Sequence, residues 1–381
     1  MKSVCEENMC TGCGACAVAC PKEAVSLSDT IESMNAIIDE DKCIKCGACE
    51  RVCQQIHPID LSKPLSWFQG WSTDSKSREM SSSGGFAYHI MEQFLDEGGV
   101  VCSCTFDNGE FNYKVAYCID DLNIFRGSKY IKSNPRTIYS TVKQLIKTGN
   151  RVLLVGLPCH VAAIRKYIGD ENSEKLYTVD LICHGTPSKW ILTEFLKEKG
   201  VSISVLSDIT FRQKNKFRIS IKGVNHRKEF GITPPGVRDR YTIGFLNGLF
   251  YTNNCYYCKY ARLERVSDIT IGDSWGSNLE ETEEGKKGIS LALCQTKRGE
   301  ALLKKSKVKL LKVDLEKAVA ANHQLYEASG IPQQRALFFA LIEKGNSVNS
   351  AIAKCYPRTC RRQDLKAILK KLHLISTFPT S

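Results

Sequence analysis

Apolar and polar positions change rhythm along this chain. From Phe86 to Leu95 apolar residues recur at helical spacing, preceded by Ser81-Ser82-Ser83-Gly84-Gly85 and followed by Gly98-Gly99, so a capped helix is predicted. Val152-Leu153-Leu154-Val155 is a continuous apolar run of strand length; Pro158 then stands at a first helical position, with a helix to about Ile168. Leu176 to Ile182 repeats the unit, with Thr186 as N-cap and Pro187 opening the next helix. Two successive βα units predict at least part of a mostly parallel sheet. Residues 207–222 read as two strands and Ile269-Thr270-Ile271 as another. Residues 54–80 carry Pro58, Pro64, Ser72, Ser75 and Ser77 without a clear period and read as linker. After about residue 297 the chain is mainly helical and basic, closing on an amphipathic set, Leu365, Ile368, Leu369 and Leu372.

Composition narrows the class. A chain of 381 residues allows roughly two or three domains. Its 43% hydrophobic and 25% charged residues are those of a globular protein, which excludes disordered, collagen-like and coiled-coil chains. No apolar run reaches the ~18 residues that span a bilayer, so no transmembrane segment is expected. The start, Met1 to Glu7, has no apolar stretch of a secretory signal, so a cytoplasmic protein is expected. The anomaly is the 19 cysteines. A chain this long needs no disulfide staples and a reducing compartment would not keep them, so metal or redox chemistry is the expected use.

Nine of those cysteines fall within residues 1–53, inside an internal repeat. Cys10-Thr11-Gly12-Cys13-Gly14-Ala15-Cys16 to Cys20 returns 33 residues later as Cys43-Ile44-Lys45-Cys46-Gly47-Ala48-Cys49 to Cys53. C-x2-C-x2-C-x3-C twice over is the spacing of a bacterial two-cluster ferredoxin, in which the last cysteine of each run ligates the other cluster. Cys10, Cys13, Cys16 and Cys53 are then expected on one 4Fe-4S cluster, and Cys43, Cys46, Cys49 and Cys20 on the second. Gly12, Gly14 and Gly47 allow tight turns that aim N–H groups at the cluster sulfides, and the small Ala15, Ala17, Ala19 and Ala48 let the chain lie close to the cluster. Zinc ribbons use paired C-x2-C knuckles instead. Pro21 follows the first run as the motif expects, whereas Gln54 replaces the second proline.

Four more cysteines stand in unusual places. Cys159 and Cys183 each follow a predicted strand, at the strand ends that line the ligand crevice of open α/β sheets. Cys255-Tyr256-Tyr257-Cys258 adds a C-x2-C hook. A third cluster, a zinc site and buried thiols are the three readings of this set. Cys5, Cys102, Cys104, Cys118, Cys294, Cys355 and Cys360 show no partner pattern and read as core or surface thiols.

Charge is uneven within a formal net of +12: residues 1–53 hold five basic and nine acidic side chains, residues 201–262 eleven and three. Arg212, Lys214, Lys216 and Arg218 alternate along a predicted strand and so would share one face, suited to an anionic coenzyme tail or an acidic ferredoxin. No nucleic-acid motif accompanies them, and no nucleic-acid partner is expected. The basic last helix (Arg361, Arg362, Lys366, Lys370, Lys371) reads as a solvated face, with a membrane surface as the competing use.

Beyond the repeat, Ser82-Ser83-Gly84-Gly85, Gly156-Leu157-Pro158-Cys159, Cys183-His184-Gly185-Thr186-Pro187-Ser188, Cys255-x-x-Cys258 and Ile271-Gly272-Asp273-Ser274-Trp275-Gly276 follow in order. Over roughly residues 1–290 the chain thereby resembles the coenzyme F420 hydrogenase/dehydrogenase beta-subunit family. The resemblance implies an α+β/α/β multidomain protein: a two-cluster ferredoxin module over 1–56, a linker over 57–80, a mixed α/β domain binding FAD and a 4Fe-4S cluster over 81–296, and a mainly helical region over 297–381. It implies a flavin- and iron-sulfur-dependent oxidoreductase with Cys159, Cys183, Cys255 and Cys258 on the third cluster. Electrons would pass between a two-electron donor such as a reduced deazaflavin coenzyme, FAD, the clusters, and a redox partner protein, a ferredoxin or a reductase subunit. FAD contacts are expected from Ser82, Ser83, Gly84 and Gly85 at a helix start, from Lys129 and Ser133, and from His184, Gly185, Asp273 and Trp275. Each has a plain alternative: a capped turn, a solvated loop, a structural histidine, a closed turn. Rival functions are an electron-transfer subunit without its own small substrate, and a zinc-stabilised binding protein.

Overall fold

The computed structural model describes residues 2–214, 216–223 and 230–374. The first 53 residues repeat one small design. Strand β1 (Lys2–Ser3), helix α1 (Ala15–Ala19), strands β2 (Val25–Asp29) and β3 (Met34–Ile38) and helix α2 (Ala48–Arg51) pair around an antiparallel sheet in the order β1-β3-β2. Each helix starts on a left-handed glycine, Gly14 with φ +73° and Gly47 with φ +68°. One turn earlier Gly12 has φ +69°, and its counterpart Lys45 makes the same turn at φ +56° without glycine's freedom, at a cost of about 1 kcal/mol.

The large domain opens with β4 (Ser66–Ser72), α3 (Ser75–Glu79) and α4 (Phe86–Asp96). The order continues as β5 (Val100–Asp107), β6 (Glu110–Ala116), α5 (Tyr139–Lys147), β7 (Val152–Gly156), α6 (Pro158–Ile168), β8 (Leu176–Leu181) and α7 (Lys189–Lys197). A hairpin, β9 (Leu206–Gln213) and β10 (Lys216–Gly223), carries the short β11 (Phe230–Gly231). Then come α8 (Arg240–Leu246), α9 (Asn253–Tyr256), β12 (Ile269–Asp273), α10 (Glu283–Lys286), β13 (Ser290–Cys294), α11 (Lys297–Lys305), β14 (Val308–Leu311) and α12 (Leu315–Ala321), and lastly α13 (Arg335–Glu343), α14 (Val348–Cys355) and α15 (Pro357–Lys371).

Among the described residues eight strands form one mixed sheet, ordered β14-β4-β13-β12-β8-β7-β5-β6. Its centre, β5, β7, β8 and β12, is parallel, and antiparallel strands close both sides. The expected βα units are present, since the all-apolar β7 is buried throughout as central parallel strands are. The cap of α7 differs from expectation: Ser188, not Thr186, accepts the Trp190 N–H, and Pro187 bridges to Tyr251. Inside the stretch read as a linker, β4 lies between β14 and β13, because its partners come more than 200 residues later and no local period announces it. The described residues of the region read as 297–381 are not set apart either: α11 and β14 complete the sheet side, and Phe338, Ile352, Cys355 and Cys360 share a core with α7, α8, β9 and β10; residues 375–381 lie outside the described residues.

Candidate functional site

The carboxyl ends of β7, β8 and β12 converge on a cavity of about 470 Å³, within the range of small-molecule sites. Ser82, Ser83, Gly85, Lys129, Ser133, His184, Gly185, Asp273 and Trp275 all line it. Gly84 does not: a Cβ there would fall 2.5 Å from the Gly70 carbonyl oxygen, so this glycine serves close packing of the loop on β4. Both serine hydroxyls bond within the protein: Ser82 Oγ accepts from the Ser128 N–H at 3.0 Å, which leaves its own O–H to donate, and Ser83 donates to the Ile289 carbonyl at 2.9 Å. What the loop presents is the start of α4, where Gly85, Phe86, Ala87 and Tyr88 form the wall and a helix's first N–H groups lack intrahelical partners. Lys129 donates to the carbonyls of Phe125 and Arg126 at 3.0 and 2.7 Å, and burial lowers its pKa.

Sequence reasoning missed Arg126. It lies on the same wall, its guanidinium 3.9 Å from the Tyr88 ring centroid, and its Nη1 is buried without a hydrogen-bond partner. A buried cationic donor lacking an acceptor beside a helix N-terminus is a fit for a phosphate group. Tyr130, Phe217 and Phe245 also line the cavity, Tyr130 stacking on Phe245 at 4.5 Å and on Phe217 at 6.1 Å, an aromatic wall suited to a planar ring. Asp273 is held by Arg212 through two hydrogen bonds of 2.7 and 2.9 Å. The expected basic face is thereby corrected. The four residues straddle the β9–β10 turn, Arg212 is buried on Asp273, Lys214 donates to the Ser83 carbonyl and Arg218 to that of Thr233. An antiparallel turn, unlike a single strand, scatters alternate side chains.

Cys159, Cys183, Cys255 and Cys258 surround a second, smaller cavity of about 30 Å³. Burial raises the thiol pKa of Cys159, of Cys183 (to about 12) and of Cys258, so these thiols gain charge only against a compensating cation. Among the described residues no three Cys, His, Asp or Glu groups close on a single ion point. Four thiols around one cavity are a ligand set that a polynuclear cluster or a tetrahedral zinc could take.

A third cavity, of about 10 Å³, is walled by Cys10, Cys13, Cys16 and Cys53, the crossed set read from the repeat. Gly12 N–H donates to Cys10 Sγ at 3.4 Å. Cys5, read as a thiol without partner, also lines this cavity; its closeness to Cys10 and Cys53 lowers their pKa values and raises its own. No signal in the motif identifies it. Cys20, Cys43 and Cys49 are half-buried on the same module and Cys46 is exposed, with Lys45 N–H and Ala24 N–H donating to Cys43 and Cys20 sulfurs.

The three cavities adjoin. The first and second share Leu157, Cys183, His184, Gly185 and Thr186; the second and third share Thr11 and Gln55. Burial lowers the pKa of His184, which keeps its imidazole neutral between the first two. Gln54, the departure from the ferredoxin pattern, is buried at the second join. It donates to Thr11 Oγ1 at 2.9 Å and accepts from the Tyr260 hydroxyl, two residues beyond Cys258. Lys132 crosses the same join, reaching the Thr11 carbonyl at 3.2 Å and Asn254 Oδ1 at 3.4 Å. Behind Cys183 and Cys258, fully buried Arg265 pairs with buried Asp180 at 3.0 Å and donates to the carbonyls of Leu181 and Tyr260.

Comparison with known proteins gives these placements a context. Residues 149–317 match the family of the C-terminal part of the coenzyme F420 hydrogenase/dehydrogenase beta subunit, and residues 9–55 match the 4Fe-4S dicluster domain. The F-subunit of F(420)H(2) dehydrogenase from Methanosarcina mazei is 23% identical over 306 residues, covering 74% of this chain and 82% of that one. A chain of the F420-reducing [NiFe] hydrogenase complex from Methanosarcina barkeri aligns with a TM-score of 0.47 and 19% identity, over 69% of this chain and 91% of that one.

Proposed function

We propose, from the premise that the chain belongs to the coenzyme F420 hydrogenase/dehydrogenase beta-subunit family and carries a 4Fe-4S dicluster domain, that it is an iron-sulfur flavoprotein oxidoreductase. The observation that carries the reading is the unbroken series of sites. A cavity fit for a nucleotide adjoins a four-thiol cavity, which adjoins the first dicluster set, and the last set reaches the surface at exposed Cys46. FAD would lie in the first cavity, its pyrophosphate toward α4 and Arg126 and its ring system toward the Phe217-Tyr130-Phe245 wall. Cys159, Cys183, Cys255 and Cys258 would hold a third 4Fe-4S cluster. When bound, the flavin would supply exchange between two-electron and one-electron chemistry and the clusters single-electron carriage.

The chain's own residues then position and screen. Arg265 places positive charge behind Cys183 and Cys258; Gln54 and Lys132 clamp the dicluster module against the α/β domain. The donor is a reduced deazaflavin-type coenzyme or a similar two-electron donor, and the acceptor a ferredoxin or reductase partner. Protein purified without oxygen should contain about twelve iron with matching sulfide and one FAD per chain. About eight iron without flavin would instead mark an electron-transfer subunit, and zinc without sulfide would end both readings. Adding reduced deazaflavin, NAD(P)H or reduced ferredoxin in turn identifies the donor as the one that bleaches the flavin band.

A further inference from the structure

Helix α15 turns the wrong side outward for an ordinary surface helix. Cys360 and Lys370 are buried against the protein, Lys370 donating to the Pro235 carbonyl at 2.7 Å. Gln363 accepts from the Arg238 N–H at 3.0 Å and Asp364 pairs with Arg240 at 2.7 Å. Those contacts fix which side faces in. Leu365, Ile368 and Leu372, spaced three and four apart and so neighbours on one face, point the other way. They are 57%, 54% and 61% exposed, and Leu374 just beyond is 66% exposed.

Polar residues should occupy that face if it met only water. Instead, cations frame it. Arg358, Arg361, Arg362 and Lys371 are exposed and make no ion pair among the described residues, while the helix's single acid, Asp364, is already engaged by Arg240. The apolar ridge is headed by Arg361, on the same stripe one turn before Leu365, and bordered by Arg358, Arg362 and Lys371; apolar side chains among unpaired cations suit a helix lying in the plane of an anionic lipid surface. We infer that α15 is a membrane-surface anchor, seating this chain on bilayers rich in anionic lipid with Leu365, Ile368 and Leu372 in the acyl boundary. No helix among the described residues is long and apolar enough to cross a membrane, so the attachment is peripheral. The assignment rests on α15 alone and does not depend on the cofactor reading.

The test is sedimentation of the full chain, cofactors loaded, with vesicles of phosphatidylcholine alone or mixed with phosphatidylglycerol. Binding should appear with the mixed vesicles only and weaken as salt rises. Leu365→Glu with Ile368→Glu should weaken it more than tenfold. Arg361→Gln with Arg362→Gln should weaken it about fivefold per cation removed and reduce the preference for anionic lipid. All four side chains are solvent-exposed, and unchanged circular dichroism and iron content would show the variants folded. Vesicle binding that survives both pairs, or none by the unaltered chain, overturns the inference. So does a self-association, seen by ultracentrifugation, that the apolar pair abolishes, because the ridge would then belong to a second copy.

Discussion

Five thiols face the cavity at the head of the N-terminal module, one more than a cubane accepts. The repeat spacing selects Cys10, Cys13, Cys16 and Cys53, and all four are there; Cys5 comes from outside the motif and approaches Cys10 and Cys53 from β1's end. A ligand and a neighbour respond differently to removal. Cys53→Ala should lose about four iron per chain and the associated visible absorption, whereas Cys5→Ala should keep both. Equal iron loss from the two variants would make Cys5 a ligand and the repeat reading incomplete. Gln54 shows the same boundary of what residues reveal. As a letter it breaks a motif, and only the fold shows that its amide joins Thr11 to Tyr260, a partner about 200 residues away.

At the scale of elements, local signals were legible and distant ones were not. Pro158 at the first turn of α6 and the apolar run of β7 place both elements within a residue of expectation, because periodicity and capping are local physics. The strand β4 has no such signature; its stability comes from β13 and β14, so a segment with two prolines before it passes for linker. The site divides the same way. Each cysteine set stands in a readable motif, but the walls of the large cavity come from separated segments, and Arg126 carries no motif at all. The Asp180–Arg265 pair is another product of tertiary structure, tying the end of β8 to the loop of Cys258 and Tyr260. Arg265→Met leaves Asp180 charged and alone in the core, and should cost about 3–5 kcal/mol in chemical denaturation. Adding Asp180→Leu should recover most of that loss. A single variant as stable as the unaltered chain would show that water reaches Asp180.

For the whole molecule, the formal charge of +12 describes the bare chain only. Each oxidised cubane with four thiolates carries about −2, so three clusters would bring the loaded protein to roughly +6. Two of them would sit in a module that already holds nine acidic against five basic side chains. The molecule then has an anionic end, at the exposed Cys46 and Ile44, and a cationic body that includes α15. This polarity predicts how electrons leave. If exit is through the anionic end, a cationic acceptor protein such as cytochrome c is steered to it, and the bimolecular rate should fall steeply as ionic strength rises. A small anionic acceptor such as ferricyanide is repelled there, and its rate should hold or climb over the same range. Stopped-flow reduction of the two acceptors by the pre-reduced protein measures both slopes. Opposite slopes place the exit at the dicluster module; a rate for ferricyanide that falls with salt would place it on the cationic body, nearer the flavin cavity.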